Sequence, residues 1–532
     1  MSSHWTDRLL PPPLLLSISF LVLFALQFVF VLRFADNDDI VMQTIVSGFW
    51  NGEPSAFTVF MNYYLGFGLA VLYDLVPFLD WYTAFFFVIY GLCLYAGLRV
   101  LVEAARRRDP PLAAAGGLIL FVIILNVQAL QFTTLAASAI CCAALAYTFG
   151  RGRWDGAIAL ILLPIAFLIR FEAAVLVSLI FLVFLAVSAV LNTTAFPARK
   201  AFVGLAGLLI LATLAETASN RAMIAADADY VAFNAARGQI NDNKNVDLDR
   251  ITLPPDMTRD ELVMLVNFLP DPSSYTAEDL QQVVAQVSQN MIRSLTPERL
   301  AGNLYMLVTW AELTGVLILL AGATLCSGSL PRTAPVLMAV GSLFVLLLYV
   351  SITAVVKERV VYAGMLAILV CFAIWAGQPH FGRWRSVALL LSYIPLSAAL
   401  LVEGNQKTLE AAQLQATFEA GTKLVDAWPG KIIPYRGHYE MEGQRVHWGR
   451  SLYLPDNLAL SAWFAGHPDN PAYRGLSDLL DPGTVMFLKN DAGREVRNAI
   501  LSELEHRTGR RITEDMVARN ETAMLLRFVP EG

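Results

Sequence analysis

Along this chain, runs of about 20 apolar residues alternate with short polar segments, from a first run at Pro11–Phe34 to a last one ending near Val402. A helix of that length crosses the hydrocarbon core of a bilayer. About twelve or thirteen such runs can be counted, and the Lys and Arg content of the loops tests which of them cross. If 57–76 and 82–102 both crossed, Arg106, Arg107 and Arg108 would fall outside, against the positive-inside rule. If 57–76 instead dips into the outer interface, that cluster becomes cytoplasmic and the later loops follow. The inner loops then carry Arg151 and Arg153, Arg199 and Lys200, Arg332, and Arg383 and Arg385. The expected spans are 11–34, 82–102, 112–128, 133–149, 155–169, 173–191, 201–216, 301–326, 334–353, 360–377 and 386–402, eleven crossings with the N-terminus inside. Arg33 is the exception at an outer end and is expected to snorkel. The first run is too long for a signal peptide and lacks a small-residue cleavage site, so it reads as an uncleaved helix.

This topology puts three substantial pieces outside: a first loop (35–81), a long loop (217–300) and a tail (403–532). In "DIVMQTIVSGFWN" the apolar positions have helical period over too short a length to span, so this helix is expected to lie flat on the outer surface. In the long loop, "ETASNRAMIAADADYVAFNAARGQI" is helix-like, a polar turn-rich segment follows, and "TAEDLQQVVAQVSQNMIRSL" is helical with Thr276 as N-cap and Glu278 close behind. The tail mixes strand-like runs ("KIIPYRG", "TVMFLKN", "TAMLLRFV") with the helical "VRNAILSELEHRTG", the pattern of a small soluble α/β domain. The expected organisation is therefore an α-helical polytopic membrane module over 1–402 and an extracytoplasmic α/β domain over 403–532.

Composition agrees, with 56% hydrophobic and 15% charged residues over 532 positions and a mean hydropathy of +0.55. The net charge of -6 points to no nucleic-acid partner. All five cysteines lie in apolar runs, where a thiol packs as a small hydrophobe. No two of the six histidines stand at metal-ligand spacing, although His438 and His447 could meet across a hairpin. No Gly-rich phosphate loop follows a strand, which leaves a nucleotide-sugar donor or an ATP motor without support.

The first outer loop carries three carboxylates at a helix N-terminus, Asp36, Asp38 and Asp39. The helix dipole favours negative charge there, and a solvated N-cap cluster is the plain explanation. Mutual repulsion makes the cluster costly unless something positive visits. An acidic pair just after the first span, two interfacial helices in the first outer loop and a basic inner end on the next span together resemble the GT-C superfamily. That superfamily comprises integral-membrane glycosyltransferases that use polyprenyl-phosphate sugars. The resemblance covers the topology of roughly the first 220 residues, and where members often carry a Pro-rich turn this chain reads "MNYY". It implies a GT-C-like fold, Asp38 or Asp39 as catalytic base, and basic residues at outer helix ends holding the donor phosphate. Asp36, nearest the span, reads as the dispensable acid.

Other positions fit this scheme. Arg170 and Glu172 occupy a very short outer turn, where Arg170 would meet the donor phosphate and Glu172 would orient it or touch the acceptor. A self-neutralising pair is the alternative. Lys357 and Arg359 run against the charge rule in another outer turn; a phosphate head group would explain them, and ordinary turn charge is the alternative. Asn234 and Arg237 share a helix face that could hold a sugar or phosphate or simply be solvated. Glu53, Tyr63 and Tyr64 in the first loop are further candidate substrate contacts. Trp448 or Trp463 could stack on an acceptor sugar, with aromatic core as the alternative.

The expected reaction is inverting transfer of a sugar from a polyprenyl-phosphate donor to an envelope glycan, lipid or protein acceptor, at the outer face of the cell inner membrane. A divalent cation, Mg or Mn, could bridge acids and phosphate, and no metal-ligand residues are assigned. Two other classes compete: a transporter or flippase of a lipid-linked glycan, expected to have paired halves and broken helices, and a non-catalytic membrane scaffold.

Overall fold

A computed structural model describes residues 11–193, 197–242, 250–293, 296–327, 329–377, 383–435, 441–447, 452–490 and 494–531. In chain order its elements are α1 (Pro12–Val29), β1 (Arg33–Phe34), α2 (Asn37–Ser47), α3 (Tyr63–Leu75), α4 (Trp81–Arg107), α5 (Pro110–Gln128), β2 (Ala129–Leu130), α6 (Phe132–Phe149), α7 (Arg153–Ile169), α8 (Phe171–Leu191) and α9 (Ala198–Ala226). There follow α10 (Ala228–Asn241), α11 (Arg259–Val266), α12 (Ala277–Arg293), α13 (Pro297–Thr309), α14 (Ala311–Ser327), α15 (Leu330–Thr353), α16 (Glu358–Ala376), α17 (Arg383–Ser392) and α18 (Ile394–Asp426). The chain closes with β3 (Ile432–Pro434), β4 (Val485–Lys489), α19 (Arg494–Thr508), β5 (Ile512–Arg519) and β6 (Ala523–Pro530).

Among the described residues nine helices are long and apolar enough to cross a membrane, or ten if one bent pair counts as a span. With α7, whose 17 residues sit at the lower limit of spanning length, these fall at the eleven positions expected from the apolar runs. The protein is therefore a multi-pass helical membrane protein. The expected straight span at 301–326 is instead that bent pair, Leu300–Thr309 and Ala311–Ser327 meeting at 77°. At the break the Thr314 hydroxyl donates to the Val308 carbonyl at 2.5 Å, satisfying a backbone group that the bend frees.

The dipping segment is α3, 13 residues and so roughly 20 Å long at 1.5 Å per residue, too short to cross. Tyr64, Phe67, Val71, Leu75 and Phe78 are exposed along one side of it. The opposite side is fixed, with Asn62 capping the Tyr64 amide, donating to Glu216 at 3.1 Å and bonding through its own amide to the Leu168 carbonyl. An apolar stripe on a pinned, short helix suits a bilayer interface.

At the far end of α4, Glu103 accepts from Arg106, Arg107 and Arg151. Two loops expected on one side are thus gathered by one buried carboxylate. Arg33 departs from expectation. It is buried and paired with Glu410 at 3.0 Å, because α18, at 33 residues or roughly 50 Å, continues well past the end of its apolar part.

That continuation leads into a four-stranded sheet ordered β3-β4-β6-β5, with β3 parallel to β4 and the other pairs antiparallel. The three strand-like runs and the helix of the tail form as expected, while β5 was not anticipated. The tail boundary drawn at 402/403 lies inside α18. Within the long loop, α12 starts as expected after Thr276, but Asp279 rather than Glu278 closes the reciprocal cap. The segment read as turn-rich contains α11, opened by a Thr258/Glu261 capping box. Val263, Met264 and Leu269 beside it are buried in one core with Ile433, Met486, Ile500 and Leu526 of the sheet region. Each such side chain contributes roughly 1.5–3 kcal/mol when fully buried, so long loop and tail form one outer body.

Candidate functional site

Two local devices place the first acids. The Ala35 amide bonds to the Leu130 carbonyl and β1 pairs in parallel with β2, so the chain leaving α1 is tied to the α5–α6 junction. Asp36, in extended conformation, then caps α2 by accepting from the Asp38 amide at 3.5 Å. The helix ends at Gly48 (φ 73°), where a Cβ would stand 2.6 Å from the Glu53 carbonyl carbon and Pro54 nitrogen. Only glycine fits this left-handed stop.

The expectation that α2 lies flat on the outer surface is corrected. Residues Asp39 to Val46 are all buried, because the outer body covers the face that the bundle does not. Trp463 Nε1 donates to Asp38, Asn51 donates to Asp469 at 2.8 Å, and Trp50 packs on Phe464. Periodicity reveals a polar stripe but not what covers it.

Above α2 opens a cavity of about 890 Å³, lined by Asp36, Asp38, Phe60, Phe132, Arg170, Glu172, Asn234, Arg237, Asp242, Lys357, Arg359 and Trp463 among others. Eight residues singled out from sequence meet here from five distant segments: Asp38, Arg170, Glu172, Asn234, Arg237, Lys357, Arg359 and Trp463. Arg359 bonds to Asp36 at 2.6 Å and stands 4.0 Å from Asp38. Asp36 is therefore an ion-pair partner of the site rather than a dispensable cap. Arg170 pairs with Glu172 at 2.9 Å, donates to the Phe60 carbonyl and lies over the Phe60 and Phe132 rings at 5.5 and 5.3 Å. Lys357 reaches Asp242 at 3.1 Å. Buried Arg237 donates to the neutral side chains of Asn234 and Asn241, and burial lowers the pKa of its guanidinium.

The adjacent acids have different surroundings. Burial, reinforced by the charge on Asp36, pushes Asp38 up to about 6 against the pull of Arg359, Lys357 and the Trp463 N–H. Asp39 does not line the cavity. It is fully buried, and one oxygen accepts from the Tyr82 hydroxyl at 2.9 Å and the Phe132 amide at 3.3 Å. Its other oxygen has no partner, and burial holds its carboxyl well above the ordinary range. A neutral acid, tying α2 to α4 and α6, is the form this site favours.

Three candidates lie elsewhere. Glu53 is exposed in the turn after α2. Tyr63 packs near Phe57, Met223 and Tyr230, its amide bonded to Ser219. Tyr64 lines a separate hollow with Leu214, Thr217 and Arg221. The start of α3 turns both tyrosines toward α9 and away from the acids. Of the two tail tryptophans, Trp463 reaches the cavity and Trp448 lies outside the described residues, as does His438. Phe60, Phe132 and Asp242 were missed; single aromatic or acidic positions in a long apolar chain carry no signal of where they meet.

Among the described residues no three His, Cys, Asp or Glu side chains converge for a metal, and Arg359 already stands where a cation would balance Asp36 and Asp38.

No family model matches the chain, and no curated protein matches it. Two solved structures align along nearly all of it, both of ArnT from Cupriavidus metallidurans. The apo form is 11% identical over 96% of this chain and 97% of that one, with a TM-score of 0.39. The form bound to undecaprenyl phosphate is 12% identical over 99% and 98%, with a TM-score of 0.36. Superposition at these scores assigns neither family nor activity.

Proposed function

We propose that this protein is an inverting, integral-membrane glycosyltransferase of the GT-C type. It moves a sugar from a polyprenyl-phosphate donor to an envelope glycan, lipid or protein at the outer face of the inner membrane. The observation that carries this reading is one cavity holding the Asp38 carboxyl, pushed up to about 6 by burial, opposite Arg170, Lys357 and Arg359. A base near the working pH, facing cations that can receive a leaving phosphate, is what displacement at an anomeric carbon requires. The cavity volume suits a sugar phosphate.

In this scheme the Asp38 carboxylate removes the proton of the acceptor hydroxyl. That oxygen attacks the anomeric carbon from the side opposite the phosphate, the carbon–oxygen bond to phosphate breaks, and its electron pair leaves on the phosphate. Arg359, Lys357 and Arg170 stabilise the charge that grows there, each now held by a carboxylate that a phosphate can replace. Direct displacement inverts the sugar. The arrangement of basic loops around Glu103 at the opposite end supports a cytoplasmic N-terminus and an extracytoplasmic outer body.

Purified protein in nanodiscs, given labelled polyprenyl-phosphate sugars and envelope extracts, is expected to transfer label. Arg359→Gln should lower kcat by about 10²-fold, in the range seen when one charge-stabilising donor is removed. Movement of the lipid-linked sugar across a vesicle without its transfer would replace this reading with a flippase.

A further inference from the structure

The tail contributes to the cavity through Ser461 to Phe464, part of a short strap that runs on to His467. Trp463 Nε1 donates to Asp38 Oδ1 at 2.8 Å, and among the described residues it is the side chain that hydrogen-bonds Asp38. The indole is 8% exposed and packs edge-on against Phe60 at 4.8 Å. Its place is fixed from three sides. Tyr230 on α10 donates its hydroxyl to the Trp463 carbonyl at 2.6 Å. His467 is buried, bonds to the Phe57 carbonyl at 2.9 Å and touches the rings of Phe57 and Tyr230. Ala462 holds a left-handed φ of 56°, a conformation kept only where the surroundings over-determine it.

A buried indole N–H takes an acceptor, and here that acceptor is the carboxylate that faces the cavity. An indole that stacked on a sugar would present its face rather than its edge nitrogen to the polar side. We infer that Trp463 is a positioning residue for the base: its N–H fixes the direction of the Asp38 carboxylate and ties docking of the outer body to the base's competence. The inference rests on the glycosyltransferase reading above. The indole N–H only donates, so it favours the ionised carboxylate. It does so against Asp36 and alongside Arg359 and Lys357; Arg237 on α10 also feels the Asp38 charge, while the Tyr82 hydroxyl at the start of α4 bonds the neighbouring Asp39. Arg359 at 4.0 Å supplies charge, but that distance is too long for a directing hydrogen bond.

The test titrates the Asp38 carboxyl directly, in the full-length protein, as the pH-difference infrared band that Asp38→Asn removes. The midpoint is expected near 6 in the native chain and about 0.5–1 pH unit higher in Trp463→Phe, as loss of one hydrogen bond to the charged form implies. Trp463→Gln, which keeps an N–H donor, should move it less. The acid limb of kcat should shift with the midpoint while KM for the donor stays within about twofold, since the interaction acts on the base and not on binding. If Trp463→Phe does not fold, Tyr230→Phe tests the same support from the backbone side and should move the midpoint in the same direction. An unmoved midpoint, or a change confined to KM, overturns the inference even if transfer is robust. A shifted midpoint in a protein that transfers no sugar leaves the positioning intact and removes the glycosyltransferase reading.

Discussion

Asp38→Asn is expected to reduce sugar transfer by about 10²–10⁴-fold, the usual worth of a general base, while Asp39→Asn stays within about tenfold of the native rate because it removes no such group. The neighbours separate because their environments do. Asp38 faces the cavity with one directed hydrogen bond and a nearby guanidinium. Asp39 is sealed beneath it, accepting from Tyr82 and Phe132. An asparagine carbonyl can accept both bonds, so Asp39→Asn preserves the neutral form that burial favours. Equal loss in the two variants would exclude the assignment of the base.

The Asp38 pKa adds two pH signatures. Transfer should rise with pH through an acid limb near 6, where the carboxyl loses its proton. Its stability effect has the opposite sense. A carboxyl whose folded value lies above its unfolded value contributes stability that is fully present below the unfolded value and is lost as pH rises through about 6. At pH 7.5 the ionised group is therefore a cost to the fold, and Asp38→Asn should leave the melting temperature unchanged or raised. An inactive variant at least as stable as the parent is hard to explain by misfolding.

Arg507→Ala is expected to destabilise the outer body by about 3–5 kcal/mol, the range for removing one partner from a buried charge network. Arg507 donates to Glu503 on its own helix and Asp271 in the long loop, both at 2.6 Å, and to Glu261 on α11 at 2.7 Å. It also reaches the Ser274 hydroxyl. The three carboxylates are almost fully buried, whereas the arginine keeps a modest exposed edge. Without it three acids face one another in a water-poor cluster. Burial already holds Glu261 above its ordinary value, and loss of the cation leaves the three carboxylates repelling one another. The deficit should thus be largest at neutral pH and shrink on acidification, when protonation of Glu261 relieves the repulsion. Differential scanning fluorimetry at pH 7.5 and pH 5 checks both size and sign; a deficit that grew on acidification would refute the account.

Parts of this molecule follow directly from residue order. The eleven spans were legible because each is a local property, a run long enough to cross a bilayer, and loop charge then separated α3 from the crossings. Three of the four sheet strands and α12 were legible through alternation and capping for the same reason. Four of the cavity residues, Arg170, Glu172, Lys357 and Arg359, could be named because a charge placed in a short outer turn is costly and so stands out against an apolar background. Other features were hidden because they depend on what lies opposite. The β1–β2 pairing joins residues nearly a hundred positions apart and carries no local mark. The burial of α2 depends on an outer body whose covering strap comes more than 400 residues later.

The carboxylates of "RFADNDDIV" show the division most clearly. Residue order alone determined that Asp36, Asp38 and Asp39 open a helix just beyond the first membrane run, where the dipole tolerates them. Three-dimensional packing decided the rest: Asp36 faces Arg359, Asp38 faces the cavity and Trp463, and Asp39 is enclosed with Tyr82. Successive helical residues point about 100° apart, so neighbours in sequence meet different surroundings. A cation, the cavity and a tyrosine are thereby set against three neighbouring carboxylates, and only the folded chain brings them there.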